Sequence, residues 1–251
     1  MEKRAGVEIM EWKKMFTQKR IIFLLVFAAG ALFAAQINFS TLVGSTNQTL
    51  TMFQFFGPIA GAFLGGFFGI ITVLCSQIIN NLLLHKEWTL ITALRLLPML
   101  FAVFYFAYFH KKQKYKTAVM ICIPILAIIL FNLHPVGREA WYYSLFWLIP
   151  ILAAAGEKLP GKLFFRSLGA TFTAHAIGTI IWVYTVPMTA SQWTALIPVT
   201  AYERFAFSLG IAVSFVAVNT VLDVVCDKLE ISAETLHVEP AYVLSKRMLS
   251  F

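Results

Sequence analysis

Seven long apolar runs divide this 251-residue chain, and they constrain its fold more than any other feature. The runs cover residues 21–37, 55–84, 90–109, 118–133, 141–155, 163–186 and 205–225. At about 1.5 Å per residue, most of them are long enough to cross a hydrocarbon core of roughly 30 Å as a helix. A soluble domain could not hide so many such runs from water, and only 13% of the residues are charged. Because no run alternates apolar and polar residues as barrel strands do, the sequence predicts an all-α, polytopic transmembrane helical bundle of six to eight helices.

Basic residues lie mainly between the runs, in four clusters. The clusters fall within residues 3–20, 111–116, 158–166 and 228–247. In membrane proteins such clusters mark the cytoplasmic side, and among the intervening segments 38–54, 134–140 and 187–203 only Arg138 is basic. We therefore expect a multi-pass protein of the cell (plasma) membrane, in contact with the lipid bilayer, with both termini in the cytoplasm. The formal net charge of +8 is then a topology signal, and nucleic acid is not an expected partner.

The same pattern predicts three parts of the chain. A transmembrane helical domain covers residues 21–226, between a cytoplasmic N-terminal tail of residues 1–20 and a cytoplasmic C-terminal tail of residues 227–251. The N-terminal tail is too long and too charged before the first apolar run to resemble a cleaved signal peptide, so we expect it to stay attached.

The basic clusters disagree with the number of apolar runs in the front half of the chain. If the N-terminus and Lys111 lie on the same side, an even number of crossings must separate them, whereas hydropathy gives three. Three solutions are open. The run 55–84 could form two short passes, broken near Ser76, Gln77, Asn80 and Asn81; one run before Lys111 could be re-entrant; or the lysine cluster could lie outside.

Small residues recur in the first two runs. Four glycines stand at every fourth position of GPIAGAFLGGFFG, which would place them on one helical face: Gly57, Gly61, Gly65 and Gly69. Ala31 and Ala35 form a similar but weaker face in the first run. Because small residues let helix backbones approach closely in lipid, these faces predict helix packing, either as a seam inside the chain or as a surface for a partner helix.

The late stretch TFTAHAIGTIIWVYTVPM carries the main candidate binding residues. His175 is expected near mid-membrane, and Trp182 follows about two turns later on the same face, with Gly178 leaving open space between them. Tyr184 lies nearer the outer end. An ionisable group inside a membrane segment is a functional-site hypothesis. The alternative is a neutral histidine bonded to a neighbouring helix, with the aromatic residues as an interfacial belt.

Other polar residues leave several interpretations open. Arg95 could extend to the nearer interface or pair inside the bundle. Glu203 and Arg204 are expected at a helix start, where adjacent side chains point apart and form no mutual pair. Asn219 could face a cavity or a neighbouring helix. The uncharged segment 38–54, rich in Asn, Gln, Ser and Thr, could be a simple connection or a lid over a cavity.

Motifs for catalysis and metal binding are missing from the sequence. Cys75, Cys122 and Cys226 lie in or beside apolar runs without a CxxC pair, and neither HExxH nor GxSx occurs. We therefore expect no catalytic residues, no metal site and no cofactor. A membrane-embedded enzyme, or a membrane sensor or scaffold, remains an alternative. A phosphate-binding GxxxxGK[ST] loop is also absent, so energy for any transport would come from other subunits.

The order of these features resembles the substrate-capture (S) components of energy-coupling factor (ECF) transporters. The shared features are a small-faced first helix, a polar outer loop, a glycine-rich helix beginning GPIAG, the helix HAIGTIIWVY and a final helix with Asn219. The late helices are most similar to thiamine-type members. The resemblance implies uptake of a small micronutrient or vitamin-like molecule, bound by His175, Trp182, Tyr184 and Asn219. It also implies that the Ala31/Ala35 face meets a transmembrane coupling subunit driven by separate ATPases, and that the chain is not an enzyme.

Overall fold

The structure, a computed structural model, describes residues 18–41, 49–109, 114–155 and 160–244. Within these ranges the chain is an all-α helical bundle, which confirms the predicted fold class. Strand occurs there only in a short antiparallel hairpin, β1 (Asn38–Thr41) and β2 (Thr49–Thr51), whose register is irregular between Asn38 and Ser40. Most of the predicted N-terminal tail, residues 1–17, lies outside the described residues.

The described helices form eight legs, each a single helix or two consecutive helices that cross the bundle once, and successive legs run in opposite directions. The first four legs are α1 (Gln18–Ala34), α2 with α3 (Phe53–Phe56, Ala60–Phe63), α4 (Gly65–Leu83), and α5 with α6 (Leu90–Leu94, Leu97–Tyr108). The fifth leg is α7 (Lys114–Leu133), which the short α8 (Pro135–Glu139) follows. The last three are a 3-10 helix with α9 (Trp141–Trp147, Leu148–Ala155), α10 (Lys162–Thr185) and α11 (Ala190–Leu229). Two further 3-10 turns, Ala233–Leu236 and Pro240–Tyr242, close the described chain.

Contacts between distant residues define the two ends of the bundle. At the end that carries the β-hairpin, which we call the open end, Gln36 Nε2 donates to Asn80 Oδ1 at 2.7 Å. At the other end, which we call the closed end, the His237 ring bonds the Phe63 carbonyl oxygen at 2.9 Å. The turn after α3 therefore lies at the closed end, whereas α1 and α4 both finish at the open end.

The long apolar run 55–84 forms two legs. The chain reverses at Leu64–Gly65, where Gly65 adopts a left-handed conformation with φ +77° that costs a residue with a Cβ about 1 kcal/mol. Beyond the turn, Gly69 packs directly on the backbone of Ala60. Four legs thus separate Gln18 from Phe109, so the segments beside the first two basic clusters lie at the same end. The break predicted near Ser76–Asn81 is wrong, because those residues lie inside α4.

The prediction that one helical face carries all four glycines is also wrong. Gly57 ends α2, Gly61 lies in α3, Gly65 forms the turn and Gly69 lies in α4. Gly61 faces the α6 backbone closely enough that a Cβ there would collide with the carbonyl oxygen of Val103. A Cβ at Gly57 would collide with the Met99 side chain, and one at Gly69 would collide with the Ala60 backbone. By contrast, nothing lies within 4 Å of the Cβ position of Gly65.

The last leg is much longer than its apolar run. α11 has 40 residues and a length of about 60 Å, roughly twice a hydrocarbon core. It begins with a capping box in which the Thr189 side chain accepts from the Gln192 backbone N–H while the Gln192 side chain accepts from the Thr189 N–H. The predicted outer loop 187–203 is therefore mostly helical, and Glu203 and Arg204 lie in mid-helix.

The exterior of the bundle is apolar. Among the described residues, three helical stretches are long and apolar enough to cross a membrane by length and composition, namely 65–83, 90–108 and 190–229. Large apolar side chains such as Leu25, Phe33, Leu152 and Val213 are exposed around the legs. A soluble protein does not present such a surface to water, and this exterior is that of an integral membrane protein in a lipid bilayer.

Candidate functional site

A cavity of about 1080 Å³ lies at the open end, between the β-hairpin, α4, α5, α10 and α11. This volume is at the upper end of the range for small-molecule sites. Its wall is unusually polar for the interior of an apolar bundle. Six carboxamide side chains line it, namely Gln36, Asn38, Gln54, Gln77, Asn80 and Asn81. The segment 38–54 thus supplies part of the cavity wall, as the lid hypothesis requires, although residues 42–48 lie outside the described chain.

His175 lies on the cavity wall and is held by neighbouring helices. The Trp147 indole N–H donates to His175 Nδ1 at 3.3 Å, and Tyr143 Oη lies 3.1 Å from Nε2. Because an indole nitrogen only donates, Nδ1 must accept, and a neutral imidazole then carries its proton on Nε2. Tyr143 Oη and Thr179 Oγ1 lie 3.1 and 3.3 Å from Nε2 and can each accept this proton, and Tyr143 Oη also lies 2.8 Å from Thr200 Oγ1. His175 therefore bonds neighbouring helices and also lines a cavity, and its role in binding a ligand stays a prediction.

Trp182 lies farther along the same wall of α10. Its ring faces the Arg95 guanidinium, with 5.2 Å from Arg95 Cζ to the ring centroid, and its indole N–H lies 3.1 Å from the Met188 sulfur. Gly178 lies between His175 and Trp182, and the nearest atom to its Cβ position is Pro98 Cγ at 3.7 Å. The structure thus brings together the three residues of α10 that the helical spacing placed on one face.

Tyr184 and Asn219 do not line this cavity. Tyr184 follows Trp182 by two residues, which turns its side chain to the outside, where it is 52% exposed and donates to the Leu130 carbonyl oxygen at 2.9 Å. Asn219 is fully buried near the closed end. Both ends of its amide bind the backbone of Glu239, at 2.9 and 2.8 Å. We therefore remove both residues from the expected ligand-binding set.

The face of α1 that carries small residues points into the bundle. Ala31 has 0% exposure in the main core, and Ala35 lines the cavity. The exposed side of α1 instead presents large residues such as Leu25 and Phe33. The expectation that Ala31 and Ala35 meet a coupling subunit is therefore wrong for this arrangement, because no second chain can reach Ala31.

The sequence interpretation missed several wall residues on and beside α11. Trp193, Thr200 and Arg204 line the cavity from one stripe of this helix, and Tyr143 faces them from the 3-10 helix. Glu203 Oε2 lies 3.3 Å from Arg204 Nη2, so the prediction that these neighbours form no pair is wrong. A charged pair within an otherwise apolar segment was the available signal.

A second polar cluster lies at the closed end. Arg166 donates from Nε to the Phe106 carbonyl oxygen at 2.7 Å and from Nη1 to Glu239 at 2.8 Å, and its guanidinium stacks 4.1 Å from the Phe106 ring. The nearby Tyr242 ring packs on Phe215, and burial followed by the charge of Glu239 raises the pKa of its hydroxyl. Residues 232–244 of the predicted C-terminal tail are thus docked on the bundle, while residues 245–251 are outside the described chain.

Neither metal ligation nor similarity to known proteins assigns a role to these sites. Across the described ranges, no group of three or more His, Cys, Asp and Glu side chains could hold a metal ion. No protein-family model, no curated protein and no solved structure matches the chain.

Proposed function

We propose that this chain is a membrane-embedded binding protein that captures a small micronutrient or vitamin-like molecule in the open-end cavity. In this proposal it is the S component of an ECF-type uptake system. The observation that carries the proposal is the cavity of about 1080 Å³, lined by carboxamides, His175 and Trp182, inside an apolar bundle.

The polarity of the wall supports a binding role. Polar side chains are uncommon within apolar membrane segments unless they serve a function, and six carboxamides of the described chain meet at this one cavity. Carboxamides both donate and accept hydrogen bonds, and they are suited to neutral polar edges of a heterocycle. The rings of His175 and Trp182 offer faces for the aromatic part of such a molecule.

The distribution of basic residues supports an orientation. The described residues that flank the four clusters lie at the closed end: Gln18, Phe109, Ala155, Lys162 and residues 230–244. By the positive-inside rule the closed end would face the cytoplasm, and the cavity would open to the exterior of the cell. Such an arrangement suits capture for uptake, with separate ATPases and a transmembrane coupling subunit as the partners. The coupling surface in this proposal is not the Ala31/Ala35 face.

The proposal predicts that Trp182→Ala removes the bound molecule. The full-length protein would be extracted from its own membranes, and the small molecules it retains would be identified by native mass spectrometry. We expect Trp182→Ala to retain at least tenfold less ligand, because a tenfold loss corresponds to about 1.4 kcal/mol and matches one lost ring contact.

Tyr184→Ala is the matched control, since this aromatic residue lies on the same helix two positions later but outside the cavity. It should retain the ligand at the wild-type level. Equal retention by both variants would contradict a binding site at Trp182.

A further inference from the structure

Two buried donors on the cavity wall have no acceptor in the described chain. Arg204 is 8% exposed and Trp193 is 2% exposed, and both line the cavity. Neither Arg204 Nε nor Trp193 Nε1 makes a hydrogen bond. Buried donors of these types normally find partners, because an unmet donor in an apolar surrounding is costly. Two residues on one stripe of the cavity wall thus keep a donor that the described chain leaves unmatched.

Arg204 uses few of its hydrogen-bond donors among the described residues. Its described polar contact is the single 3.3 Å approach of Nη2 to Glu203, and its guanidinium otherwise lies 4.5 Å from the Phe207 ring centroid. A guanidinium carries five N–H donors in a planar fork that matches a carboxylate. Glu203 is the preceding residue on the same helix, so its carboxylate does not reach the fork in that two-pronged geometry.

The other charged residues on the cavity wall also favour an anionic ligand. Among the described residues, three cationic side chains line the cavity, Lys86, Arg95 and Arg204, against two carboxylates, Glu87 and Glu203. The aromatic groups Tyr143, His175, Trp182 and Trp193 line it too. A flat molecule with one acidic group would meet rings along the wall and a guanidinium fork on α11.

We propose that the cavity selects aromatic or heterocyclic acids, with the carboxylate of the ligand bound by Arg204. This proposal rests on the proposed binding function and names the class of ligand. The neutral carboxamides then hydrogen-bond the ring heteroatoms, and Glu203 limits affinity by competing for the same guanidinium.

The test uses acids paired with their uncharged amides. The full-length protein in lipid nanodiscs would be titrated calorimetrically with 2-naphthoate and 2-naphthamide, indole-3-acetate and indole-3-acetamide, and quinoline-4-carboxylate and quinoline-4-carboxamide. We expect at least one acid to bind at least tenfold more tightly than its amide. We expect Arg204→Met to bring that ratio near one, and Glu203→Gln to raise it by relieving the competition.

Two further variants keep the test decisive. Arg138→Met removes an exposed arginine outside the cavity lining and should leave the ratio unchanged. If Arg204→Met does not fold, Arg204→Lys takes its place, and we expect it to keep the charge preference but to lose several-fold in affinity, because an ammonium has no fork.

The outcomes separate the two proposals. Amides that bind as tightly as their acids, an acid preference that survives in Arg204→Met, or an acid affinity that is unchanged in Arg204→Lys would overturn the selection of acids and leave the binding function in place. If neither acids nor amides bind, both proposals fall.

Discussion

The bundle contains two deeply buried arginines that the structure treats in opposite ways. At the closed end Arg166, 3% exposed, bonds a backbone carbonyl and a carboxylate at 2.7 and 2.8 Å and stacks on Phe106. At the open end Arg204, 8% exposed, has one contact at 3.3 Å with its sequence neighbour and an Nε without a partner. Burial alone therefore does not distinguish a structural arginine from a binding one, whereas the completeness of its hydrogen bonds does.

Removing each guanidinium in turn tests whether the two arginines differ in their contribution to stability. Arg166→Met should lower the free energy of unfolding by about 3 kcal/mol, because the Phe106 carbonyl and Glu239 lose their partner in a buried site. Arg204→Met should cost less than Arg166→Met, since it breaks one contact of 3.3 Å and leaves the Glu203 carboxylate beside a cavity. Thermal and denaturant melts in matched nanodiscs measure both. Equal losses would show that Arg204 is as structural as Arg166.

The glycines provide a second contrast between the ends. Gly61→Ala would force a methyl group into the α6 backbone at Val103, which should destabilise the fold by roughly 2–3 kcal/mol or prevent folding. Gly178→Ala projects its methyl group toward the cavity, 3.7 Å from Pro98, and stability should change by less than about 0.5 kcal/mol. Melting temperatures of the two variants test this. A large loss from Gly178→Ala would show that the cavity wall is as tightly packed as the closed end.

A smaller effect on stability is expected at Asn219, where a substitution tests whether this residue holds the C-terminal segment or binds a ligand. Asn219→Ala removes two hydrogen bonds to the Glu239 backbone and should cost about 2 kcal/mol. Hydrogen exchange of residues 231–244 should accelerate, while the affinity for any cavity ligand stays at the wild-type value. Weakened ligand binding with unchanged exchange would return Asn219 to the binding site that the family resemblance suggested.

The sequence predicted what hydropathy and helical spacing control. The apolar runs predicted the membrane bundle, and the seven-residue spacing predicted that His175 and Trp182 share one helical face. The reversal at Gly65 was missed because no polar residue interrupts the run, and only the left-handed backbone marks the turn. The start of α11 was missed although Thr189 and Gln192 form a capping box, since the segment was assigned as a loop.

The orientation of single side chains needed the tertiary structure. Tyr184 and Asn219 lie on helices whose outward and inward faces are almost equally apolar, so periodicity could not tell which face meets the cavity. The role of Arg204 likewise depends on which groups surround it. Only the folded chain shows that Tyr143 links His175 to Thr200 across two helices.

The Arg166–Glu239 ion pair at the closed end joins two residues that are synthesised at different times. Glu239 follows Arg166 by 73 residues, and all of α11 lies between them. At 5–20 residues per second, the ribosome delivers the carboxylate roughly 4 to 15 s after the guanidinium it neutralises. During that interval the Arg166–Glu239 ion pair cannot form, so the closed end acquires this contact only after α11 has been synthesised.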